Sequence, residues 1–147
     1  MNSNAERDLR ERAKNIIRNY SIASGTASGA LAIGALLGLD TTFSIPMVIR
    51  MITELGQLFG LTMDDVKPTD QFKTLIGRFI AVSLSKSILS LVPVIGNVAN
   101  GLTTYYLFQS VGWAAYEVFK DGKDFSTLTE KEIQAYLKRA EESKAEH

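Results

Sequence analysis

Cysteine is absent from this chain. That excludes disulfide staples, thiolate zinc sites and a cysteine nucleophile together, and it fits a reducing cytoplasm. Net charge is missing as well, with sixteen basic and sixteen acidic residues and the single histidine at His147. A balanced chain without a basic face exerts no general pull on nucleic acid, so no nucleic-acid partner is expected. Sustained alternation of apolar and polar residues is also lacking, which argues against strands. Charge itself disappears over two stretches, residues 19–39 and 87–116, and both are rich in glycine.

What is present divides into charged and apolar blocks. A chain of 147 residues is expected to form one domain, large enough to bury about two-thirds of its unfolded surface. Charged residues gather in 1–20, in 60–78 and after 117. Glu6, Asp8 and Glu11 mix with the basic residues of the first block, a pattern unlike a cleaved signal peptide; a signal anchor over 19–39 is the alternative.

Leu9, Ala13, Ile16, Ile17 and Tyr20 recur at helical spacing, and a first helix is expected to run on past Gly25 to about Leu37. Glu6 and Arg10 stand one turn apart and are expected to pair on its solvent side. Gly25-x-x-x-Gly29 and Gly34-x-x-x-Gly38 offer small faces for close helix approach. A second helix starts near Ser44, with Pro46 in its first turn, and ends at Gly60. A third covers about 69–90, after Thr62-x-x-Asp65, which resembles a capping box for a short turn. Pro93 and Gly96 interrupt the chain before a fourth helix over about 97–120, closed by Asp121-Gly122. Thr129-x-x-Glu132 is a capping box for a last, exposed helix over about 130–144. The expected architecture is all-α: four main helices forming two Gly/Pro-cornered apolar hairpins over 20–120, a charged N-terminal extension over 1–20, and the C-terminal turn and helix over 121–147.

Hydropathy bears on whether the hairpins span a membrane. A span needs about twenty apolar residues. The second helix is shorter and carries Arg50 and Glu54, the third carries Arg78 and Lys86, and the first corner carries Asp40. Each such charge at mid-bilayer costs roughly 2.5–3.5 kcal/mol. A bundle with hydrophobic tips accommodates these charges best. Two membrane-spanning hairpins are the alternative, and a pore-former that stores a hydrophobic hairpin is a third reading.

Motifs for chemistry are poor matches. Gly96-Asn97-Val98-Ala99-Asn100-Gly101-Leu102-Thr103 has the outline of a phosphate loop, yet Leu102 stands where the phosphate-binding lysine belongs. Ser83-x-x-Lys86 has nucleophile spacing without the companion elements of that chemistry. Asp64, Asp65 and Asp70 read as caps and solvent groups. Asp121, Gly122 and Asp124 form a turn, since Lys123 spoils calcium-ligand spacing. Tyr105, Tyr106, Phe108, Trp113, Tyr116 and Phe119 crowd the fourth helix, with Gly112 making room among them. They are expected to pack a core, with interfacial anchoring as the alternative. The expectation is therefore a non-enzymatic chain without cofactor or metal.

Phe59-Gly60-Leu61 after a Pro-started helix, the corner Val92-Pro93-Val94-Ile95-Gly96, and Thr104 through Gly112-x-x-Ala115-Tyr116-x-x-Phe119 resemble the YcjF-type bacterial domain of unknown function that accompanies Era-like GTPases. Residues 92–106 also resemble part of the helical domain of interferon-inducible immunity-related GTPases. The resemblance covers about residues 20–120. It departs at the first corner, where Gly38 and Asp40 stand without the usual prolines, and no GTPase module is present. It implies a helical, membrane-proximal accessory module working with a GTPase; the expected location is the cytoplasmic side of a membrane, peripheral or integral, or the cytoplasm for a soluble form. Leu39, Phe43, Ile45, Leu91, Val92, Val94 and Ile95, at the two apolar corners, are the expected contacts to a membrane surface or a protein partner. Homo-oligomer formation is left open.

Overall fold

The computed structural model describes residues 2–31, 41–61, 99–123 and 127–145, with side chains over 2–23, 47–61, 105, 107–123 and 127–142. Four α-helices occupy these residues: α1 (Ser3–Leu31), α2 (Thr41–Leu58), α3 (Ala99–Lys120) and α4 (Glu130–Ala145). No strand occurs among the described residues, and the fold is an all-α bundle. The third expected helix and both Gly34-x-x-x-Gly38 and Thr62-x-x-Asp65 lie outside the described residues.

Each helix end follows from local chemistry. Asn2 Oδ1 accepts the Asn4 N–H at 3.2 Å, giving α1 an N-cap. Gly60, at φ 81°, closes α2. Leu61 N–H reaches the Gly56 carbonyl at 3.0 Å and Gly60 N–H that of Gln57 at 3.1 Å, the paired bonds of a Schellman cap. Gly122, at φ 69°, closes α3 with the same pattern, from Lys123 to Val118 and from Gly122 to Phe119. The Thr129 capping box forms reciprocally: Glu132 N–H donates to Thr129 Oγ1 at 3.2 Å, and Thr129 N–H to Glu132 Oε1 at 3.3 Å. α2 begins at Thr41, three residues before the expected Ser44 start. Pro46 therefore sits past the first turn, where its missing N–H leaves the Thr42 carbonyl without its usual donor.

The core lies where α1, α2 and α3 cross. Ile17, Met51, Ile52, Phe108 and Val111 are fully buried there. Gly112 is the crossing point: a Cβ added to it would stand 2.8 Å from Ile17 Cγ1 and 3.2 Å from Met51 Sδ. The room it makes is for these two side chains on neighbouring helices, not for the aromatic run beside it. Trp113 and Phe119 are nearly buried, and Phe108 and Tyr116 almost completely so. Phe59 meets Tyr116 edge-on at 5.5 Å, and Trp113 packs on Tyr116 in the same manner. These four aromatics are core, which removes them as interfacial anchors. α4 is exposed on its outer side only; Ile133, Tyr136, Leu137 and Ala140 bury its inner face.

Candidate functional site

The described helices have opposite ends of contrasting chemistry. Lys120 Nζ binds Glu6 Oε1 at 2.9 Å, placing the C-terminus of α3 beside the N-terminus of α1. Phe59, just past the end of α2, lies 5.5 Å from Tyr116 and 5.8 Å from Phe119, so α2 runs with α3 and against α1. Ionic groups fill this end. Arg139 bridges Glu117 Oε2 at 2.7 Å and Asp121 Oδ2 at 2.8 Å, while the Tyr136 hydroxyl donates to Asp121 at 2.8 Å. Glu117 is buried, and Arg139 supplies its counter-charge. The guanidinium beside Asp121 holds its carboxyl below the ordinary aspartate value, with burial opposing and the Tyr136 hydroxyl assisting.

Glu6 differs from expectation. It pairs with Lys120, and the Arg10 guanidinium instead lies 5.0 Å above the Trp113 ring. Both choices follow from α3 approaching α1 at this level, since each partner is supplied by a helix that helical spacing within α1 cannot reveal.

Past the Gly112 crossing charged groups give way to neutral polar ones. Gln109 Nε2 donates to Ser21 Oγ at 3.1 Å, and that hydroxyl donates to the Ile17 carbonyl at 2.7 Å. On the side facing α2, the Tyr20 hydroxyl donates to Glu54 Oε1 at 3.0 Å. Burial and the adjacent carboxylate push the Tyr20 hydroxyl up to about 12. Arg50, one helical turn from Glu54, is exposed, and the Glu54 carboxylate accepts from Tyr20.

The remaining lengths of the three helices then point one way. At about 1.5 Å per residue, α1 continues about 21 Å from Ile17 to Leu31 and α3 about 20 Å back from Gly112 to Ala99. Over the same direction α2 covers about 15 Å from Met51 to Thr41. Their stretches 19–31, 41–49 and 99–111 contain no charged residue. The sequence attaches the two apolar corners at these helix ends, one between Leu31 and Thr41 and the other directly before Ala99. Asp40 is the only charge between Leu31 and Thr41.

Of the expected contact residues, Leu39, Leu91, Val92, Val94 and Ile95 lie outside the described residues. Phe43 and Ile45 fall in the opening turns of α2, with their side chains outside the description. Ser83 and Lys86, together with Asp64, Asp65 and Asp70, also lie outside it. Among the described helices none is long and apolar enough to cross a membrane. No cluster of potential metal-binding side chains occurs among the described residues. What sequence reasoning missed is the Glu117–Arg139–Asp121 network. It joins helices whose mutual placement has no local signature, and only the Asp121-Gly122 turn hinted at it.

Neither curated proteins nor solved structures offer a match to this chain. One family model does match, across residues 1–146, and its description is Domain of unknown function (DUF697). By that near-complete coverage, the chain belongs to the DUF697 family.

Proposed function

We propose that this protein is a non-enzymatic helical module that docks on a membrane surface through its uncharged pole. The observation that carries the reading is the convergence of three charge-free helix ends at one pole, with ionic groups collected at the other. Phe108, Trp113, Tyr116 and Phe119, which could have anchored the bundle along its flank, are instead part of its core, which favours the pole over that flank as the contact surface. The resemblance to YcjF-type domains adds a GTPase as the protein beside which the module works, and the cytoplasmic side of the membrane as its place.

Flotation with lipid vesicles tests the docking. The wild-type chain is expected to rise with the vesicles, and Val94→Asp or Phe43→Asp is expected to leave it at the bottom with its helical circular dichroism kept. A wild type that stays at the bottom with every vesicle overturns the reading and leaves a protein partner at the pole as its replacement. Resistance of the bound chain to extraction by carbonate would instead select the integral, two-hairpin form.

A further inference from the structure

We infer that Arg18 and Arg50 form a cationic collar that binds anionic lipid headgroups at the base of the uncharged pole. The inference rests on the membrane reading above and adds to it the lipid class and the depth of docking.

Ile17 and Met51 both meet Gly112. Because α1 and α2 run in opposite directions, Arg18 and Arg50 each stand one residue, about 1.5 Å, on the pole side of that crossing. They are the last charges before the pole on the described helices. Both are basic and exposed, and neither forms an ion pair or hydrogen bond among the described residues. Among the described residues of α2, the acid within a turn of Arg50 is Glu54, further from the pole, and it accepts the Tyr20 hydroxyl. Around Arg18 the nearest acid on α1 is Glu11, about 10 Å back toward the ionic end. On that ionic side charges of both signs alternate: Arg7, Asp8, Glu11, Arg12 and Lys14.

One turn beyond Arg18, Ile22 is 51% exposed, an unusual position for a large apolar side chain in this bundle. The order along the bundle is thus mixed charge, then arginine alone, then exposed isoleucine, then uncharged helix. A membrane interface has the same order read from water inward: solvent, anionic phosphate, acyl chain. Arginine suits the middle layer, since its long apolar stem lies against the bundle while the guanidinium reaches phosphate in a paired fashion.

The test compares vesicles of phosphatidylcholine alone with vesicles of phosphatidylcholine mixed with phosphatidylglycerol. Each basic group near an anionic surface strengthens partitioning about fivefold. The double variant Arg18→Gln, Arg50→Gln is therefore expected to bind mixed vesicles about 25-fold less than wild type. The variant Arg7→Gln, Arg12→Gln removes the same charge from the far side of the crossing and is expected to bind within about twofold of wild type, since screening weakens distant charges. All four side chains sit at the surface, and unchanged thermal midpoints would show that the fold persists. Equal wild-type binding to both vesicle types overturns the collar while leaving the membrane reading intact. Equal losses from the two double variants also overturn it, because net charge would then explain binding. A wild type that binds neither vesicle defeats both.

Discussion

Gly112 shows how a single absent atom positions three helices. Its hydrogen faces Ile17 and Met51, and a methyl group there would meet Ile17 Cγ1 at 2.8 Å and Cγ2 at 3.0 Å. Both atoms branch from the stiff β-carbon of a fully buried residue, so neither swings aside. Alanine would favour the helix by about 1 kcal/mol, but overpacking costs typically 1–3 kcal/mol. Gly112→Ala is therefore expected to lower the urea midpoint. Ile17→Ala, destabilising in the wild-type background, is expected to cost much less in the Gly112→Ala background. A double-mutant cycle measures this coupling; additive effects would mean that the two residues are not in contact.

At the scale of elements, α4 is tied down by two kinds of force. Apolar burial of Ile133, Leu137 and Ala140 gives it most of its affinity for the bundle, and Arg139 fixes its register through Glu117 and Asp121. The Asp121 carboxyl has a depressed pKa in the folded state, caused first by the Arg139 hydrogen bond. A depressed carboxyl contributes stability that is present above its unfolded value, and this is lost as pH falls through the folded value. Docking of α4 should therefore weaken below the ordinary aspartate value of 3.8. Urea midpoints for the wild type should fall more steeply there than those for Asp121→Asn, which is expected to be the weaker protein at pH 7. Parallel curves for the two would remove Asp121 from the account. The helices themselves were largely legible: apolar spacing marked α1, Gly60 and Gly122 marked two ends, and Thr129 with Glu132 marked a third. Less legible was anything needing two elements at once. Glu6 gave no sign of choosing Lys120 over Arg10, nor Glu54 of choosing Tyr20 over Arg50, because the competing partners come from different helices. The inner face of α4 was likewise hidden, since its high charge overall masks four apolar positions on one side.

At the scale of the molecule, the relevant quantity is direction along the bundle. Residue 6 touches Lys120, so a label at Ile22, sixteen residues further along α1, should lie about 24 Å from one at Lys120. The absence of cysteine makes such labelling clean, since each introduced thiol is the sole reactive one. Nitroxides at Asn4→Cys and Ile22→Cys sample the two sides of the collar. On mixed anionic vesicles, the Ile22 label is expected to gain collisions with oxygen, which concentrates in acyl chains, and to lose them with a water-soluble relaxant. In the proposed end-on docking the Asn4 label keeps its solution behaviour, because the ionic end would face away from the lipid. Side-on binding through the charged outer face of α1 gives a different result, in which both labels change together. An Ile22 label that stays aqueous on a bound protein would place the contact away from the pole. The distance pair and the accessibility pair are independent: the first fixes the helix directions in solution, and the second fixes which end meets the bilayer.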